Sequence, residues 1–169
     1  MAQDPDLSKL VAQIADLSAQ GALDDWRWLM GRGARPLLVT AMGDAFVVKT
    51  EGFFSRAEVV YFLDTFTGTF VRTGLAPGDL PAALRTSPQA AGWLRVDLVR
   101  RLLDRGAKLG AGQCLSAKHP IVLGGNLTPD NFEPTDWQVH LSMLGQVHKQ
   151  VKDLPPGSTI ADIQGGDPE

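Results

Sequence analysis

The stretch PLLVTAMGDAFVVKTEG, from Pro36 to Gly52, breaks with the sequence before it. Its apolar residues are β-branched or aromatic and come in short runs, and GD and EG punctuate it where a chain reverses. EVVYFLDTFTG (58–68) and TFVRTG (69–74) continue the pattern with TG as the further turn signal. Together they predict an antiparallel meander, with Phe46, Val48, Val60, Phe62 and Phe70 as the positions that face inward or pack on the sheet; a one-residue slip in register would reverse the faces.

Upstream the period is helical. Asp4 and Pro5 mark a helix start, and Leu7, Leu10, Val11, Ile14 and Leu17 recur along one face up to Gly21. ALDDWRWLMGRG reads as a shorter helix bringing Leu23, Trp26 and Leu29 or Met30 to the core, with Gly31 and Gly33 as breakers. Downstream, SPQAAGWLRVDLVRRLLDRG predicts one helix from a Ser87 N-cap and Pro88 to a Gly106 stop, its stripe formed by Ala91, Leu94, Leu98 and Leu102. An irregular Gly-rich stretch then leads to a last helix. Thr135 and Gln138 have capping-box spacing, so this helix should begin near Asp136; Trp137, Leu141, Leu144, His148 and Val151 share a side, and the prolines after Leu154 end it. The expectation is one α+β domain over residues 1–160, in which N-terminal and C-terminal helices pack on the meander. Residues 161–169 lack an apolar pattern and read as a flexible tail.

At 169 residues the chain suits one core, and its 44% hydrophobic and 21% charged content is that of a folded globular protein. A formal charge of −3 argues against direct nucleic-acid binding, which depends on Lys and Arg displacing counterions. No run approaches the roughly 20 apolar residues of a membrane helix, and the acidic, polar start MAQDPDLSKL is unlike a signal peptide. The single cysteine suits a reducing compartment, so a cytoplasmic location is expected.

The chemical motifs are weak. Gly124-Gly125 stands in neither phosphate-binding glycine pattern and reads as a turn. His140 and His148, eight positions apart, are separated by about 12 Å along a helix, too far to share a metal ion. Cys114, Ser116 and His119 contain a nucleophile and a base, but nothing marks an orienting partner or an oxyanion site. No metal and no cofactor is expected. Asp130, Glu133 and Asp136 recur every third residue on the approach to the last helix. They read either as helix-dipole compensation or, with Asp24 and Asp25 as a second candidate group, as an acidic surface that steers a basic partner.

GQCLSAKHPIVLGG (112–125) followed by NFEPTDWQVHLSMLGQVHKQVKDLPPGSTI (131–160), with GDAFVVKTEG, VYFLDTFTG and LLDRG earlier, resembles the C-terminal domain family of type VI secretion immunity proteins, some of which are partners of DNase effectors. The similarity spans about residues 26–160, leaving the 1–25 helix outside it. Pro120, Leu123, Gly124 and Gly125 correspond to the family's turn, and Gly145, Gln146, His148, Gln150 and Leu154 to its helix; both sets read as fold markers. The resemblance implies a non-catalytic cytoplasmic protein that binds and neutralises a cognate effector toxin, a nuclease. Two other readings stay open on the residues: a SUKH-like or regulatory interaction module with a different partner, and a small-molecule enzyme built around Cys114, His119 and His140.

Overall fold

A computed structural model describes residues 21, 23–155 and 158. The fold is α+β. Four strands form an antiparallel sheet in sequence order: β1 (Arg35–Val39), β2 (Ala45–Glu51), β3 (Ala57–Asp64) and β4 (Thr69–Arg72). A second, two-stranded antiparallel sheet pairs β5 (Gln113–Ala117) with β6 (Phe132–Asp136). Among the described residues five α-helices accompany the sheets, with short 3-10 turns between elements: α1 (Arg27–Met30), α2 (Leu80–Thr86), α3 (Ala90–Trp93), α4 (Val96–Asp104) and α5 (Trp137–Val151). The helix expected before Gly21 lies outside the described residues, as does the tail.

The sheet is buried on both faces, which is why β2 reads as an unbroken apolar run. Phe46 and Val48, with Val60 and Phe62 of β3, face a core completed by Leu80, Leu84, Leu94, Leu98 and Leu102 of α2–α4. Ala45, Val47 and Leu63 face the other way, onto Trp26, Met30, Trp137, Leu141 and Leu144. Phe70 packs on this second side, so the five inward positions read from the meander divide between two cores. Phe46 lies directly across from Phe62, with ring centroids 5.0 Å apart. Pro36 occupies an edge strand beside a register shift, where its missing N–H costs no ladder bond.

Three local expectations are corrected. The helix read from Ser87 to Gly106 is two helices, because Arg95 adopts a left-handed conformation (φ 46°) between α3 and α4. The last helix is capped by Asp136, whose Oδ1 accepts from Gln138 N (2.8 Å) and Val139 N (3.1 Å); Thr135 is in β6 and takes no part. The stretch read as irregular, 109–131, carries β5 and leads into β6, and α2 forms over LPAALRT, where no helix was expected.

Candidate functional site

The turns at one end of the main sheet gather most of the buried polar side chains. Between β1 and β2 the chain reverses over Thr40–Asp44, with Gly43 at φ +81°. Between β3 and β4 it reverses over Asp64–Gly68, where Asp64 Oδ1 accepts from Phe66 N and Thr67 N. Asp44 is fully buried and ties the turns together: its Oδ1 accepts from Thr65 N (2.8 Å) and Thr65 Oγ1 (2.9 Å), and its Oδ2 from Arg95 Nε (2.8 Å). Arg95 also places Nη2 2.7 Å from Asp64 Oδ1 and lies 3.9 Å over the Phe66 ring. The left-handed backbone at Arg95, worth about 1–2 kcal/mol of strain for a residue with a Cβ, aims the guanidinium at both carboxylates.

Helix α5 approaches the same turns from the second core. His140 Nδ1 is 2.8 Å from Ser116 Oγ, and its Nε2 is 3.3 Å from Thr65 Oγ1. Thr65 donates its only hydroxyl proton to Asp44, so His140 donates from Nε2 and accepts from Ser116 at Nδ1. The chain of bonds runs in one direction: Ser116 to His140 to Thr65 to Asp44, which also receives Arg95. Eight residues along, His148 Nε2 reaches the Thr65 carbonyl at 2.9 Å. Glycines admit both rings: a Cβ on Gly43 would lie within 2.8 Å of three His140 ring atoms, and one on Gly68 within 3.0 Å of three in His148.

Burial sets the ionisation here. It pushes Asp44 up to about 6, against the opposing pull of Arg95. It lowers His140 to about 4 and also lowers His148, although the Thr65 carbonyl favours the latter's charged form. Burial would lower Arg95 as well, but Asp44 and Asp64 more than offset it. The Cys114 thiol is pushed far up by burial, which leaves no thiolate at neutral pH.

The structure brings together only part of the Cys114, Ser116, His119 and His140 group. Ser116 pairs with His140, not His119, and that pair is sealed, at 3% and 0% exposure. His119 lies on the surface, its backbone N–H donating to Asn131 Oδ1 and its carbonyl accepting from Asn131 Nδ2. Among the described residues, no three His, Cys, Asp or Glu side chains gather as metal ligands, and no helix is long and apolar enough to cross a membrane. A surface hollow of about 400 Å³ is lined by Asp24, Arg27, Met30 and Arg32, and another of about 610 Å³ lies along Val139, Met143 and Gln146 of α5.

The five acidic candidates are not one surface. Asp24 pairs with Arg27 (2.6 Å), and Asp25 accepts from Ser142 and Gln146 on α5. Asp130 pairs with Arg105 (2.9 Å) and Asp136 caps α5. Glu133 alone has no polar partner among the described residues, and the pleat of β6 turns it away from Asp136.

The turn and helix residues have local structural work. Pro120 accepts from Gly125 N (3.0 Å), closing a turn through Leu123 in which Gly124 takes φ +90°. A Cβ on Gly125 would collide with the His119 carbonyl, and one on Gly145 would lie within 2.9 Å of the Asp25 backbone where α5 crosses the Asp24–Trp26 turn. His148 is buried and Leu154 half-buried, whereas Gln146 and Gln150 are exposed. Sequence reading missed the Arg95, Asp44 and Thr65 set. Its one signal is an arginine beside the Leu94, Leu98, Leu102 stripe, and no spacing rule links it to Asp44, 51 residues away.

No curated protein matches the chain. A solved structure, the crystal structure of Atu4351 from Agrobacterium tumefaciens, is similar with a TM-score of 0.48 and 19% sequence identity, covering 73% of this chain and 62% of that one. Over residues 79–148, from the start of α2 to His148 of α5, the sequence matches the family described as "T6SS immunity protein Tdi1, C-terminal", in keeping with the resemblance read from its motifs.

Proposed function

We propose that this is an immunity protein that binds the toxin domain of a type VI secretion effector, a DNase, and holds it inactive in a stoichiometric complex, with no chemistry of its own. The family match over residues 79–148 carries this reading. The chemistry of the interior supports it: the residues with strongly displaced ionisation, Asp44, His140 and Cys114, are closed off from solvent. A reaction centre needs such groups at a substrate entrance. The cytoplasm is the compartment in which a DNase toxin would have to be met.

The carboxylates have unequal claims to the toxin-facing surface. Glu133 is uncommitted among the described residues. Asp130 can exchange an exposed ion pair, worth about 0–1 kcal/mol, for a cation on the toxin. Asp24 is placed similarly, whereas Asp25 and Asp136 hold α5 in place. Asp130→Lys with Glu133→Lys should slow association at low salt and much less at high salt. The function itself is tested by co-purification with the product of the adjacent gene, followed by a nuclease assay. A stable complex with suppressed DNA cleavage supports immunity; free migration of both proteins with full cleavage refutes it.

A further inference from the structure

We propose that the tip of the β2–β3 hairpin is the hydrophobic anchor for the effector, with Phe53 and Phe54 entering an apolar pocket that has an acidic rim. This rests on the immunity reading and adds to it the surface and the chemistry that surface selects. The two rings are 90% and 98% exposed, while no other exposed large apolar side chain among the described residues exceeds 57%. They are adjacent, edge to face, with centroids 5.1 Å apart. A turn that only reversed the chain would be made of polar and small residues; two large apolar side chains side by side in water mark a contact surface.

The hairpin carries them at its end. β2 and β3 pair in register out to Glu51 and Ala57, and Gly52, at φ +92°, closes the turn so tightly that a Cβ would strike the Ser55 carbonyl. Below the tip, Glu51 receives Tyr61 and Arg72, and Arg35 bonds Glu58 across the sheet (2.8 Å).

Charge defines the pocket. The register places Arg35, Lys49 and Arg72 at this end of the sheet, and Arg56 follows in the turn; Glu58 and Glu51 pair Arg35 and Arg72, which leaves Lys49 and Arg56 as excess cations in a chain whose overall formal charge is −3. The complementary rim is therefore acidic. A second copy of this chain docking tip to tip would set like charges together. Single-stranded nucleic acid would need cations for its phosphates beside the stacking rings, and Arg35 and Arg72 are already bonded to carboxylates.

The test is calorimetric titration of an active-site-inactivated effector with the wild-type protein and with Phe53→Ala/Phe54→Ala. The double variant should keep its urea midpoint, because neither ring is in a core, and should bind at least about 30-fold more weakly, the factor expected of an aromatic hot spot. Wild-type binding retained within about 3-fold in the double variant overturns the anchor and leaves immunity standing; absence of wild-type binding overturns both. The anchor is also overturned if sedimentation shows a wild-type dimer that becomes monomeric in the variant, or if the wild-type protein alone binds a labelled single-stranded oligonucleotide through these rings.

Discussion

Replacing Gly43 with alanine should be among the most damaging single-methyl changes available in this protein. Two costs add. The residue has φ +81°, where a Cβ carries about 1–2 kcal/mol of strain. The new methyl would also lie within 2.8 Å of three atoms of the His140 ring. The ring can retreat only by leaving Ser116 Oγ and Thr65 Oγ1, and each buried polar group left unsatisfied costs about 1–3 kcal/mol. The sum is about 3–8 kcal/mol, a large part of the 5–15 kcal/mol typical of a domain. Gly33→Ala is the control: φ is +78° but nothing lies within 4 Å of the added carbon, so only the strain of about 1–2 kcal/mol should appear. Urea denaturation of both variants, of His140→Ala and of Gly43→Ala/His140→Ala completes the cycle. With the ring gone, the Gly43 substitution should cost no more than the Gly33 control. Equal losses for Gly43→Ala and Gly33→Ala, or strictly additive losses in the double variant, would refute the clash.

The buried network also sets a pH dependence. Asp44 is raised from 3.8 to about 6, so its contribution is greatest below pH 3.8 and falls as pH rises through 6. His140 is lowered from 6.5 to about 4, so its contribution is present above 6.5 and lost as pH falls through 4. The opposed contributions, each about 3 kcal/mol, nearly cancel. Asp44→Asn should therefore steepen the loss of stability between pH 6.5 and 4 in urea midpoints, and identical profiles for variant and wild type would contradict the assignment. Asp136→Ala should cost about 1 kcal/mol through loss of the α5 cap, whereas Thr135→Ala should cost less by the same assay. The Cys114 thiol should resist alkylation in the folded protein and react only on unfolding; rapid native-state labelling would show that β5 opens.

What could be read from the sequence followed the physics of local pattern. Runs such as AFVVKTE and EVVYFLD announce strands because period-two and β-branched signals are local, and Trp137, Leu141 and Leu144 announce their shared face because helical spacing is local. The division of those strands between two cores was hidden, since a run buried on both sides does not tell Val47 from Val48. The break at Arg95 was hidden too: its left-handed backbone is sustained by Asp44 and Asp64, which are distant in sequence. Asp136 was mistaken for the first helical residue because Thr135 and Gln138 mimic a capping box, while β6 pairing claims Thr135. The glycines of the LGG turn and α5 were recognisable as motif positions. The reasons for Gly125 and Gly145, a carbonyl and the Asp25 backbone pressed against them, exist only in three dimensions. Phe53 and Phe54 received no role from the sequence, because sequence shows apolar character but not exposure.

The central claim, inhibition of a DNase toxin by stoichiometric binding, is tested most directly by titrating this protein into a fixed amount of the effector's toxin domain at a concentration well above the dissociation constant and measuring DNA cleavage. The predicted result is a linear fall in activity that reaches zero at one equivalent. Cleavage unchanged by several equivalents of folded protein would contradict it.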